Sequence, residues 1–127
     1  MRTITGILIL ITAGSIFQSC LEEEGACLLN VVNGIEVTPV NEFGNPVSDS
    51  VTAVIIDGSY IDTLRTFHSN TGELLYPMMY GATERPGNYT LLITSDYFET
   101  YLESNIIVSS TSCHVITETI NVQLKRK

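Results

Sequence analysis

The chain has 127 residues, 14 acidic against 6 basic, and a formal net charge of -8 at pH 7. That length supports one small domain, and the charge excludes a nucleic-acid binder, which needs a basic face to neutralise phosphates. Hydrophobic residues make up 44% and charged residues 16%, which excludes a disordered chain and leaves enough apolar side chain for a packed core. With 2 histidines, 3 cysteines and no tryptophan, the chain has little material for chemistry. No catalytic residue, metal site or cofactor is expected.

Arg2 supplies a short positive start, and Ile4 to Phe17 is charge-free and mostly apolar. As a helix that run would span about 21 Å, against about 30 Å for a bilayer core. It has the length of a signal peptide and not of an anchor. It ends in Phe17-Gln18-Ser19-Cys20. A small residue directly before a cysteine, at the end of an apolar run, resembles the bacterial lipoprotein lipobox. Phe17 stands where Leu is usual, and Gln18 departs from the common pattern. The resemblance implies that residues 1–19 are removed and that Cys20 receives a diacylglycerol thioether, anchoring the protein to a membrane by lipid. The alternatives are an ordinary secretory peptide with Cys20 a plain thiol, and a retained transmembrane anchor. The next residues, Leu21-Glu22-Glu23-Glu24-Gly25-Ala26, form an acidic tether of at most about 20 Å. Leu21 is not Asp, so the best-known inner-membrane retention signal is absent. The expected location is the outer membrane, on its periplasmic side or at the cell surface. The acidic run also resembles the surface-export signal of some Bacteroidetes lipoproteins, although a solvated spacer explains it as well.

With Cys20 assigned to lipid, Cys27 and Cys113 remain. An exported protein sits where disulfides persist, and an even pair at opposite ends of the mature domain reads as one bridge. Two free buried thiols are the alternative.

From Asn33 onward, turn signals punctuate the chain: Asn33-Gly34, Gly44-Asn45-Pro46, Asp57-Gly58, Asn70-Thr71-Gly72 and Pro86-Gly87-Asn88. The runs between them are rich in Val, Ile, Thr and Tyr, which suit a pleated surface. Ile35 to Val40 is the first expected strand, with Pro39 marking an edge or bulge. Val51 to Ile56 is apolar enough to be covered on both faces. Asp57-Gly58 should turn it into a strand over Tyr60–Phe67. Leu74 to Tyr80 is broken by Pro77 and reads as an irregular edge. Tyr89 to Thr94 alternates, with Tyr89, Leu91 and Ile93 on one face. Leu102 to Val108 follows. The last strand is expected from Cys113 to Leu124, with a bulge near Glu118 to keep that carboxylate off the apolar face. About seven strands in about 100 residues make an all-β, antiparallel two-sheet sandwich.

Glu84-Arg85-Pro86-Gly87-Asn88-Tyr89-Thr90 resembles the glycine-then-tyrosine turn that opens a core strand in carboxypeptidase regulatory-like domains. Asp96-Tyr97 stands where those domains usually carry Gly-Tyr. Asn105-Ile106-Ile107-Val108 resembles the following strand, and Cys113-His114-Val115-Ile116-Thr117 with Ile120, Val122 and Leu124 resembles the terminal strand of a lipoprotein subset. Ile35-Glu36-Val37-Thr38, followed by Phe43-Gly44-Asn45-Pro46-Val47, matches the opening of the same domains. The resemblance spans residues 27–124, leaving 125–127 as a basic tail. It implies a transthyretin-like sandwich that serves as a folding or interaction module without catalytic residues of its own.

Little else points to chemistry. His68 lies beside a turn and His114 beside Cys113, and no Gly-x-Ser-x-Gly elbow is present. Asp96 and Glu99 lack an Asp-rich calcium loop. Tyr76, Met78, Met79 and Tyr80 form the one unusual patch; Met and Tyr are adaptable contact residues, which makes this segment a candidate interaction surface, with core filling under an irregular loop as the alternative. The functional expectation is a non-enzymatic envelope lipoprotein whose sandwich binds or scaffolds an envelope protein or a glycan. The alternative is a small inhibitor of a lytic enzyme or protease, for which 68–88 is the expected protruding loop.

Overall fold

The computed structural model describes Cys27 and residues 29–127. It is an all-β sandwich of two four-stranded sheets. In chain order the strands are β1 (Ile35–Val40), β2 (Thr52–Asp57), β3 (Tyr60–Thr63), β4 (Arg65–His68), β5 (Leu74–Gly81), β6 (Gly87–Thr94), β7 (Tyr101–Val108) and β8 (Glu118–Gln123). Among the described residues, a single 3-10 turn covers Ser48–Ser50. The first sheet runs β4-β5-β1-β8 and the second β3-β2-β6-β7. Every pairing is antiparallel except β1 with β8, which is parallel.

Period-two alternation places the core between the sheets. Ile35 and Val37 on β1, Met79 on β5 and Val122 on β8 face Ala53 and Ile55 on β2, Tyr89, Leu91 and Ile93 on β6, and Ile106 and Val108 on β7. The expected inward face of β6 is therefore the observed one. On β2 the outward residues Val54 and Ile56 are half-buried, so only one face is fully covered.

The expected strand over Tyr60–Phe67 is a continuous extended run that changes sheets. Tyr60–Thr63 pairs with β2 and Arg65–His68 with β5. Leu64, buried at the crossing, donates its N–H to the Ala53 carbonyl at 2.8 Å. This division raises the strand count to eight. The hairpin before it turns on Gly58 at φ +59, with Asp57 paired to Tyr60, so only Gly58 and Ser59 lie in the loop. Glycine at the first position of a two-residue hairpin suits a primed turn.

Pro39 is fully buried within a central strand. The β1–β5 ladder stops at Val37, and the Pro39 carbonyl accepts the Val47 N–H at 2.9 Å. Proline therefore sits where that side of the strand has become a local edge, which is where a missing donor is tolerated. Pro77 is treated similarly. Between Thr66↔Met79 and His68↔Leu74 the register shifts, so Leu75 to Met78 lie opposite Phe67 alone. The Pro77 carbonyl accepts from the Ser48 hydroxyl. Only Met79 and Tyr80, near the C-terminal end of β5, pair on both sides.

Two other expectations are corrected. The last strand starts at Glu118, not Cys113, because residues 110–115 form a turn closed by Ser110 and Val115. Glu118 needs no bulge: it begins the strand at the rim of the sandwich, where the inward face is half open to water. The bulge lies instead on β7, where Asn105 takes φ +60 and the register with β6 shifts by one residue. Asparagine accepts that left-handed conformation at low cost. The shift turns Leu102 outward, 64% exposed, and sets Glu103 opposite the buried Leu91.

A hydrogen-bonded corner ties the β5–β6 connection to the second sheet. The buried Tyr89 hydroxyl donates to the Arg85 carbonyl at 2.8 Å and accepts from Arg85 Nη1 at 2.9 Å. The same guanidinium meets Asp57 at 3.0 Å and lies 3.8 Å above the Tyr60 ring. A tyrosine bonded to backbone just upstream, at the start of a core strand, is the corner found in Greek-key sandwiches. Tyr89→Phe should therefore cost about 1–3 kcal/mol, since it leaves the Arg85 carbonyl and guanidinium without that partner. Urea denaturation measures this; an unchanged midpoint would remove the corner from the account.

Candidate functional site

The strand directions give the sandwich two poles. One gathers Cys27, the Gly58 turn, residues 82–86 and the 109–117 segment. The other gathers the Asn41–Val51 loop, the Ser69–Glu73 turn, residues 95–100 and the C-terminus.

At the first pole nearly every polar group is committed to holding the chain. Cys27 and Cys113 are bonded, with Cα atoms 5.1 Å apart and 86 positions between them. The Glu84 carboxylate accepts the Val32 N–H at 2.8 Å and the Val115 N–H at 3.3 Å, and lies 2.6 Å from His114 Nδ1. It therefore repeats, without covalent bonding, the link that the disulfide makes between the start of the domain and the 110–115 turn. Glu84 and Ala82 both adopt positive φ, +52 and +50, a conformation non-glycine residues take rarely. The Val32 N–H, with help from His114 and Val115, holds the Glu84 carboxyl below its ordinary range. His114 is thus a partner of Glu84 in a turn, not a strand residue.

Cys20 lies outside the described residues. The expected contact patch is divided. Tyr76 is 52% exposed and Met78 and Tyr80 are half-buried, but Met79 is 3% exposed and belongs to the core. Its position opposite Val37 and Thr66 fixes it on the inner face. Phe67 stacks on Tyr80 at 4.2 Å and meets Tyr76 edge-on at 5.5 Å, so Phe67 and Tyr80 cover each other while Tyr76 stays half in water. Residues 68–88 are not a protruding loop, since β5 runs through their middle as a sheet strand.

His68 Nε2 lies 3.1 Å from Asp49 and its Nδ1 3.1 Å from the Thr66 hydroxyl. Asp49 is more than half exposed, and exposed pairs of this kind contribute about 0–1 kcal/mol. The arrangement braces the Ser48–Ser50 turn against β4. Among the described residues no group of three or more His, Cys, Asp or Glu is placed to hold a metal ion.

The second pole carries the concave surface. Asn41 organises its first wall: its side-chain oxygen accepts the N–H groups of Phe43 at 2.9 Å and Asn45 at 3.0 Å. Gly44 supplies φ +80, and Gln123 Nε2 donates to the Glu42 carbonyl at 3.1 Å. Phe43 stands at the apex, 79% exposed. The second wall is residues 95–99, which the C-terminal segment ties down: Lys127 N–H donates to the Tyr97 carbonyl at 3.0 Å and Glu99 N–H to the Lys125 carbonyl at 2.8 Å. Tyr97 is 61% exposed. Phe43, Tyr97, Phe98, Glu42, Ser50 and Arg126 enclose a cleft of about 310 Å³. Sequence reading passes over it. Phe43 and Tyr97 are 54 positions apart in the numbering, and each sits beside turn residues; the only local signal is a large aromatic at a turn apex.

No protein-family model, curated protein or solved structure matches the chain.

Two outcomes test these placements. Met79→Ala should cost about 2–5 kcal/mol in urea denaturation. Tyr76→Ala should cost less than half as much, because that side chain is half in water already; equal costs would contradict the division of the patch. The second concerns acid. Glu84 has a lowered folded-state pKa, so its contribution is complete above its ordinary 4.5 and is lost as pH falls through the folded value. Glu84→Gln should flatten the fall in melting temperature below pH 4.5. An acid limb identical to that of the native protein would remove Glu84 as a clamp.

Proposed function

We propose that this chain is a non-enzymatic lipoprotein of the bacterial cell envelope, in which lipid on Cys20 holds a β-sandwich binding module at the outer membrane. One observation carries the reading: the bonded Cys27, seven positions after Cys20, lies at one pole, and the cleft lies at the other. A tether from Cys20 to Cys27 spans at most about 25 Å. It keeps the disulfide pole near the bilayer and leaves the Phe43–Tyr97 pole for a partner. The resemblance of Phe17–Cys20 to a lipobox supports the anchor. The two-sheet architecture and the Tyr89 corner support the resemblance to carboxypeptidase regulatory-like domains.

The inhibitor reading requires a convex element that enters another protein's cleft. Asn41–Val47 is rigid enough for that role, but Phe43 shares the lining of a concave cleft with Tyr97. Concave surfaces with a few polar groups receive ligands. This favours the binding module.

The test is Cys20→Ala with fractionation and labelled palmitate. The native protein should incorporate label and sediment with membranes. The variant should take up no label, and should appear in the soluble fraction or as uncut precursor. A variant that matures normally and stays equally membrane-bound would contradict the anchor.

A further inference from the structure

We propose that the groove at the Phe43–Tyr97 pole binds a neutral oligosaccharide. The inference deepens the binding-module reading and rests on its choice of the free pole as the binding end.

Phe43 is the first observation. Its loop is fixed by the Asn41 side chain and by Gln123, yet the ring is 79% exposed. The fold uses Asn41 and Gly44 to build the turn and gains little from the phenyl ring. Tyr97, on the opposite wall, is 61% exposed on backbone that the C-terminal segment pins. Two aromatic faces held on fixed backbone are a pre-organised stacking surface, which lowers the ordering cost of binding. A pyranose ring offers the complement: an apolar C–H face and a rim of hydroxyls.

The polar groups of the cleft suit that rim. The Glu42 carboxylate, the Arg126 guanidinium and the Ser50 hydroxyl have no hydrogen-bond or ion-pair partner among the described residues. They provide a strong acceptor, a multiple donor and a group that does both, as hydroxyl recognition requires.

Shape and charge narrow the ligand. The cleft shares Ser50 and Tyr97 with a neighbouring groove of about 440 Å³, and Glu42 with another of about 270 Å³ on its other side. A continuous path of this kind accommodates a chain of sugar units better than a single one. The path mixes Asp49, Asp96 and Glu42 with Arg126 and Lys125, on a protein of net charge -8. A polyanion would be repelled by the carboxylates and by the overall field. A polycation would meet Arg126 in the central cleft and Lys125 in the flanking groove. A neutral polyhydroxylated chain meets neither obstacle.

The test is isothermal titration of the processed protein in detergent with cellohexaose, maltohexaose, mannohexaose and hexa-N-acetylchitohexaose. Hexagalacturonate and hexalysine serve as the charged probes. At least one neutral hexasaccharide should bind saturably, at least about tenfold more tightly than either charged probe. Phe43→Ala and Tyr97→Ala should each weaken that binding about tenfold or more, while the melting temperature moves by no more than about 2 °C, as expected for exposed side chains. Arg126→Gln should weaken it by a smaller factor. The proposal is overturned if no neutral hexasaccharide binds at millimolar concentration, if the Phe43 and Tyr97 variants bind undiminished, or if hexalysine or hexagalacturonate is preferred. The same titration on the Cys20→Ala protein separates this result from the anchoring reading. A variant that stays in the membrane fraction yet binds sugar would refute the anchor alone, and one that is released but binds nothing would refute the groove alone.

Discussion

The junction at Glu84 decides how this sandwich is oriented relative to its own beginning. One carboxylate gathers the Val32 and Val115 N–H groups and the His114 ring, and the Cys27–Cys113 bond joins the same two segments beside it. A disulfide alone restricts the unfolded chain but leaves the native segments free to pivot about it. The carboxylate removes that freedom through directed hydrogen bonds from two backbone groups and a side chain. The backbone of residues 82–84 adopts positive φ at Ala82 and Glu84 to bring the carboxylate there. This cost is tolerated because the Gly34 N–H bonds the Ala82 carbonyl and the Glu84 N–H bonds the Val32 carbonyl. The chain therefore leaves the domain at one defined pole, and the loops of the other pole are free of that duty.

The sheets show a second economy. Both edge strands of the second sheet point a carboxylate inward: Asp62 on β3 lies opposite Ile55, and Glu103 on β7 lies opposite Leu91. Each has a use there. Asp62 accepts the Ala82 N–H at 3.3 Å, and Glu103 accepts from the Tyr101 hydroxyl at 3.0 Å. Inward charges at edges also discourage strand addition by another chain. The outer face of the same sheet exposes Ile61, Leu102 and Ile107, so its protection against association lies at the edges.

What the sequence reveals follows the range of the physics involved. Alternation in Tyr89–Ile93, the Asp57-Gly58 turn and the constraint at Pro39 are properties of a few adjacent residues, and each could be read directly. The two remaining cysteines could be paired by exclusion. The Asn105 bulge, the change of sheets at Leu64 and the burial of Met79 depend on register against a distant strand, and composition within the segment does not encode that register. Met79 shows the difference well. Beside Tyr76, Met78 and Tyr80 it reads as one element of a sticky patch, but pairing with Val37 turns it inward. The cleft is the extreme case: its walls come from the β1–β2 loop, the β6–β7 loop and the C-terminus. No pattern within any one of these predicts the other two.

The proposed lipid on Cys20 implies a polarity, in which the Cys27–Cys113 end would face the bilayer and the Phe43–Tyr97 end would face away. Strands of six to eight residues separate the poles by about 20–27 Å. The direct measurement is paramagnetic relaxation from spin-labelled lipid headgroups in nanodiscs carrying the acylated protein, read at Ser112 and at Asn45, which are both exposed. The account predicts strong broadening at Ser112 and little at Asn45. Equal broadening at the two sites, or the reverse order, would contradict it.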